Sequence, residues 1–265
     1  MDFLNTIGIG AAIGVLVGLT GTGSGSLLTP LLILVARMTP VTAVGTSLVF
    51  SVVTRFYGGW TFYRRGLVRM EIVRDLWIGG VPGALLGGLL IHYLGVRRPE
   101  ALNLLTVRCI GIALILGALL IMVRVVPWDW RPEVIRRKEL PFSASRRRLL
   151  MASAGFVTGL SLSITSIGSG TLLIPAMILL ARFPPGTPGT LAGTTVSAGT
   201  ILSFVAALPY ASLGNVHWES VAALLCGSIP ALWLSTRAHG WLPRQIPEGI
   251  LAAALMIAGL RILSS

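Results

Sequence analysis

Gly21-Thr22-Gly23-Ser24-Gly25-Ser26-Leu27-Leu28-Thr29-Pro30 sits in the middle of an apolar stretch from Phe3 to Ala36. Ser166-Ile167-Gly168-Ser169-Gly170-Thr171-Leu172-Leu173-Ile174-Pro175 sits likewise between Leu149 and Ala181. At about 1.5 Å per residue each stretch covers only about 50 Å as helix. That is too long for one bilayer crossing and too short for two, since a span takes about 20 residues. Each stretch therefore reads as two half-helices meeting within a membrane, the second half beginning at Leu27 or Leu172.

The two segments correspond. Gly23 to Pro30 aligns with Gly168 to Pro175 at an offset of 145, and Ala36-Arg37 falls on Ala181-Arg182 at the same offset. After a three-residue insertion, Gly45-Thr46-Ser47 falls on Gly193-Thr194-Thr195, Gly66 on Gly214, and Gly79-Gly80-Val81-Pro82 on Gly227-Ser228-Ile229-Pro230. Matching residue types at matching spacing mark an internal duplication. Six further apolar runs have the length of single spans: Thr42 to Phe62, Ile72 to Leu94, Ala101 to Val123, Pro188 to Tyr210, Trp218 to Ala238 and Ile246 to Leu263. The expectation is an all-α, polytopic membrane protein: a first repeat over 1–123, a basic linker over 124–148 and a second repeat over 149–265.

Composition agrees. Of the 265 residues 54% are hydrophobic and 11% charged, against roughly a quarter charged in a soluble domain. The formal charge of +12 does not point to nucleic acid, because it is concentrated in short segments between apolar runs. Eight of the 21 basic residues lie between Arg124 and Arg148 and four between Arg64 and Arg74, the pattern that orients a membrane protein with its basic loops inside. If each broken pair enters and leaves on one face, both basic segments share that inner side. The counterpart of the first loop, Ala211 to His217, then lies outside with no basic residue. Parallel repeats would instead put that uncharged loop on the crowded side. The charges therefore favour inverted repeats and a cytoplasmic linker. Cys109 and Cys226 stand in separate apolar runs with no metal-ligand spacing around them. The N-terminus has neither a basic start nor a cleavage pattern.

A glycine-rich break at membrane depth leaves backbone N–H groups that protein, water or a ligand must satisfy. The half-helix that follows presents a partly positive N-terminus suited to an oxyanion. Glycine allows close approach, and serine or threonine adds donors. Candidate binding residues are Thr22, Gly23, Ser24, Gly25 and Ser26 at the first break. At the second they are Ser166, Gly168, Ser169, Gly170 and Thr171. Thr46, Ser47, Thr194 and Thr195 join them if they face the breaks; helix–helix hydrogen bonding is the competing use. Arg55, deep in its run with Ser203 as counterpart, is either an anion-attracting charge or a structural one bonded to helix carbonyls. Close packing of small residues is the other use of such glycines. The first hexamer lacks the Gly-Lys-Ser/Thr ending of a phosphate loop. No carboxylate lies mid-run, so an acidic proton relay is not visible, and His217 is the better candidate for any proton coupling. With no activated nucleophile, metal cluster or nucleotide motif, the chain reads as neither an enzyme nor a metal or cofactor protein. Trp60, Trp77, Trp128, Trp130, Trp218 and Trp241 near the run ends read as an interfacial belt.

From Gly18 to Pro30 the sequence resembles the TauE/SafE sulfite exporter family. The likeness continues through Ala43-Val44-Gly45-Thr46-Ser47, Thr54-Arg55 and Arg64-Arg65-Gly66, and returns at Gly193-Thr194-Thr195, Leu213-Gly214-Asn215-Val216 and Gly227-Ser228-Ile229-Pro230. It covers nearly the whole chain. The resemblance implies transport of a small sulfur-containing anion, such as sulfite or an organosulfonate, across a bacterial inner membrane. Ser161-Leu162-Ser163-Ile164-Thr165-Ser166 puts hydroxyls where the family pattern is glycine-rich. A carrier with alternating access is expected. An anion channel and a non-transporting scaffold are the other readings, and homo-oligomerisation is left open.

Overall fold

The computed structural model describes residues 3–20, 25–125, 144–168, 170–180, 188–237 and 245–264, and these are helical or short connections, without a strand among them. The first half contributes α1 (Phe3–Thr20), α2 (Gly25–Leu34), α3 (Pro40–Arg64), α4 (Met70–Arg97) and α5 (Pro99–Val125). The second contributes α6 (Ala144–Thr165), α7 (Leu173–Leu180), α8 (Pro188–Ser212), α9 (Trp218–Arg237) and α10 (Gln245–Ser264). Five helices carry segments long and apolar enough to cross a bilayer: Pro40–Arg64, Met70–Arg97, Pro99–Met122, Ser145–Thr165 and Gly189–Ser212. In α9 and α10 the apolar segments, Trp218–Leu234 and Leu251–Leu263, are shorter.

Both long apolar stretches divide in two, the first into α1 and α2 and the second into α6 and α7. The second half-helices start at Gly25 and Leu173 rather than at Leu27 and Leu172. Helix α6 is described from Ala144 onward, and Arg146, Arg147 and Arg148 are helical in it. Arginine is a good helix former, and α6 extends past the apolar run that the sequence marks out. Trp128, Trp130 and Trp241 fall outside the described residues.

Helix starts and stops follow local chemistry. Thr39 caps α3, its side chain accepting from the Thr42 amide, and Pro40 takes the first turn, where no N–H is needed. α3 and α8 end alike: Gly66 and Gly214 have φ of 68° and 71°. Behind them the Leu67 and Asn215 amides reach back to the Phe62 and Tyr210 carbonyls at 3.0 and 2.9 Å.

The helices of the two halves interleave. The most extensive contacts join α4 to α6, α1 to α9, α3 to α8 and α5 to α10. Glycines make them possible. A Cβ on Gly10 or Gly14 would fall on the Leu224 or Ser228 carbonyl oxygen, and one on Gly155 or Gly159 on the Leu76 or Gly80 carbonyl oxygen. The second pair of contacts is the first moved by 145 residues on one helix and 148 on the other. Likewise the Thr46 hydroxyl accepts from the His217 amide at 3.0 Å, and the Thr194 hydroxyl from the Arg69 amide at 3.1 Å. Contact order also gives direction. Along α4 and α6, Gly79 meets Ala152, Gly83 meets Phe156 and Gly87 meets Leu160, so these helices run parallel. Along α3 and α8, Gly45 meets Asn215, Gly59 meets Ser197 and Phe62 meets Gly193, so these counterparts run antiparallel. Gly111 against Leu263 and Gly259 against Ile115 give α5 and α10 the same relation.

Candidate functional site

Helix α6 stops at Thr165, and the backbone turns at Ser166 (φ 60°) and Gly168 (φ 146°) before α7 begins. Gly168 is in a region that side chains with a Cβ rarely adopt. Four carbonyls around this turn have partners. The Ser166 amide bonds the Leu162 carbonyl at 2.8 Å, and the Tyr210 hydroxyl donates to the Ser163 carbonyl at 2.7 Å. The Ile167 carbonyl has the Ser161 and Thr165 hydroxyls each at 3.2 Å, and the Gly168 carbonyl accepts from Leu172 at 2.8 Å. The Ser161 and Thr165 hydroxyls, distinctive in sequence, thus hold the Ile167 carbonyl, while the Ile164, Thr165 and Ser166 carbonyls have no partner among the described residues.

Donors are left over as well. The Gly168, Gly170 and Thr171 amides have no hydrogen-bond partner among the described residues. The Thr171 hydroxyl, 2% exposed, has none either. At the equivalent place in the first half, the Ser26 hydroxyl is also buried and also unpartnered. A buried polar atom without a partner costs about 1–3 kcal/mol, and here two such atoms stand at matching positions. Thr22, Gly23, Ser24 and Ser169 fall outside the described residues. Gly25 and Ser26 already belong to the first turn of α2.

Neighbouring candidates divide. The Ser47 hydroxyl faces the second break: it lies 2.9 Å from the Ser166 hydroxyl and accepts from Thr29 at 2.9 Å. Its counterpart Thr195 bonds the Leu191 carbonyl at 2.7 Å and the Met177 sulfur at 3.4 Å instead. Thr46 and Thr194 turn away from the breaks and hold the starts of α9 and α4. Arg55 is 4% exposed and lies near the middle of α3. Its Nη1 donates to the Ser203 hydroxyl at 2.9 Å and the Gly199 carbonyl at 3.4 Å, so Arg55 meets its own repeat counterpart across α3 and α8. No carboxylate pairs with it among the described residues. Thr29, Ser203 and Tyr210 escaped the sequence reading as site residues. Thr29 was within the quoted motif, and Ser203 was the position matched to Arg55. Trp77 is not interfacial: its indole N–H donates to the Ala198 carbonyl at 3.0 Å between α4 and α8. His217 caps α9, its Nδ1 accepting from the Ser220 amide at 3.3 Å. No grouping of His, Cys, Asp and Glu suited to a metal occurs among the described residues.

Long apolar helices and an interrupted helix pair define a polytopic α-helical membrane protein. Residues 6–262 match the family described as sulfite exporter TauE/SafE, and the chain belongs to that family. Among curated relatives it is 32% identical over 256 residues to the probable membrane transporter protein YjnA of Bacillus subtilis, covering 96% of this chain and 97% of that one. A probable membrane transporter protein of Xylella fastidiosa is 27% identical over 87% of this chain and 82% of its own. The B. subtilis probable membrane transporter protein YunE is 24% identical over 93% and 90%. No solved structure matches. The protein is accordingly a membrane transporter and not an enzyme.

Proposed function

We propose that this transporter carries a small sulfur oxyanion, such as sulfite or an organosulfonate, by alternating access around its two helix breaks, in the direction of export. The observation that carries this reading is the Thr171 hydroxyl at the second break, buried and without a partner. Beside it the Gly168, Gly170 and Thr171 amides have no partner among the described residues, and free donors next to a helix N-terminus suit an anion. The equivalent unpaired Ser26 and the uncompensated Arg55 charge support it. The family description supports sulfur as the central atom. The proposed site is Thr22 to Ser26, Ser166 and Gly168 to Thr171, with Ser47 and Arg55; Thr46, Thr194 and Thr195, also expected there from the sequence, support the helices around it.

The halves, 1–123 and 149–265, are proposed to be inverted in a bacterial inner membrane, with the 124–148 linker cytoplasmic. Antiparallel α3 and α8 support this, because a two-fold axis relating antiparallel helices lies across them, in the plane of the bilayer. The reciprocal Thr46 to His217 and Thr194 to Arg69 bonds support the same axis.

The test is counterflow in proteoliposomes. Vesicles preloaded with unlabelled sulfite should accelerate saturable uptake of labelled sulfite, and sulfonates should compete. Non-saturable flux without exchange would favour a channel. Absence of both flux and competition with sulfite, sulfate, thiosulfate and simple sulfonates would overturn the assigned substrate class.

A further inference from the structure

A cavity of about 300 Å³ opens at the end of the molecule where α4 and α6 both begin. Its walls carry Arg69 and Arg74 from one side and Arg147 and Arg148 from the other, with Glu71 and Asp75 between them. Four arginines and two acidic residues give the lining a formal excess of two positive charges. Ile72 and Met151 supply an apolar edge, and beneath it Met151 packs in a cluster with Val73, Leu76, Leu173 and Met177. The cavity is thus separated from the second break by packed side chains.

The fold does not require these arginines. In the sequence correspondence of the two repeats, His217, Ala222, Asp2 and Phe3 match Arg69, Arg74, Arg147 and Arg148. Inner-loop charge could be satisfied by basic residues anywhere in a loop, yet these converge from two helices on one concave space. Guanidinium groups match the paired oxygens of phosphate or sulfate with two parallel N–H bonds, which a point charge does not. We infer that this cleft is a second anion site, separate from the breaks, that takes a tetrahedral oxyanion group, either a soluble phosphate or sulfate or the phosphodiester of an anionic lipid headgroup. Its position at the rim of two membrane-length helices suits both sources. The inference does not depend on the transport reading.

The experiment uses the full chain, purified and delipidated, in two arms. Inorganic phosphate and sulfate are titrated by calorimetry in detergent. Phosphatidylglycerol is added in nanodiscs of otherwise zwitterionic lipid, with retained lipid counted by native mass spectrometry. One saturable site is expected in at least one arm. Binding in the first arm identifies a soluble anion, and binding in the second alone identifies the lipid. R74Q/R147Q should weaken it by about tenfold or more, the scale for losing charge-assisted contacts. R74K/R147K keeps the charge that orients the chain but removes the forked geometry, and should weaken binding at least about threefold without changing expression. T171V should leave this binding unchanged. No saturable binding in either arm overturns the inference. So does binding that survives R74K/R147K and R74Q/R147Q, or that disappears in T171V instead.

Discussion

Replacing Thr171 by valine should raise the stability of the empty protein while impairing its transport. The two side chains have nearly the same shape, so packing against Gly117, whose built Cβ would touch Thr171 Cγ2 at 3.3 Å, is retained. The hydroxyl is 2% exposed and has no partner. Removing an unsatisfied buried hydroxyl relieves a cost of about 1–3 kcal/mol, most of which is recoverable when the shape is kept. A gain of about 1 kcal/mol corresponds to a rise of about 2–4 °C in melting temperature for a chain of this size. When an oxyanion is bound the same hydroxyl donates to a charge, worth about 1.5–3 kcal/mol. Loss of that bond weakens binding about tenfold to a hundredfold. Thermal unfolding of the solubilised protein, with and without sulfite, measures both. T171V should melt higher than wild type without ligand, gain less from sulfite, and show a raised half-saturation concentration in proteoliposomes. Ser47→Ala is the contrast: its hydroxyl is bonded to Thr29 and Ser166, so it should melt lower. A T171V protein that melts below wild type with transport intact would refute the reasoning, because the hydroxyl would then serve packing alone.

Further outcomes follow from other contacts. Arg55→Gln should cut sulfite flux by about tenfold or more while leaving the melting temperature near wild type, since a buried charge with only neutral partners contributes little net stability; unchanged flux would remove Arg55 from the site. Gly79→Ala puts a methyl onto the Ala152 carbonyl and should destabilise by about 1–3 kcal/mol, whereas Gly8→Ala, with nothing within 4 Å, should be silent in the same melt. With Cys109 and Cys226 replaced by alanine, Arg65→Cys and Ala211→Cys should react with an impermeant maleimide from opposite faces of oriented vesicles. Reaction from one face would sink the inverted arrangement.

Helix positions were legible because apolar run length is a direct physical constraint in a bilayer. The run Thr42 to Phe62 becomes Pro40–Arg64, and Pro188 to Tyr210 becomes Pro188–Ser212. The division of Leu149 to Ala181 into two helices was legible for the same reason. The conformation of the turn between them was not, because it depends on bonds from side chains such as Tyr210 on another helix. Side-chain direction was also hidden. Thr46 and Ser47 are adjacent in sequence, yet one reaches the start of α9 and the other the second break. Only the packing of four helices decides which hydroxyl meets the site. Trp77 misled for a related reason: distance from a run end says nothing about whether an indole faces lipid or a neighbouring helix.

Repetition supplies its own control, since a feature that the fold needs must occur twice. The glycine contacts, the Gly66 and Gly214 turns and the threonine bonds to opposing helix starts all occur twice, and they belong to the scaffold. Buried side-chain atoms without partners also occur at Asn103, Thr106 and Ser228, but Ser26 and Thr171 are the ones at matching positions of the two breaks, where the proposed anion would satisfy them. What occurs once must answer to the direction of the membrane or to the chemistry of the cargo. The Thr29, Ser47 and Ser166 trio is replaced by Ile174, Thr195 and Gly21, and Arg55 by Ser203. On the proposed reading these one-sided features give the two halves different linings, and so give a two-fold scaffold a means of treating inward and outward movement differently.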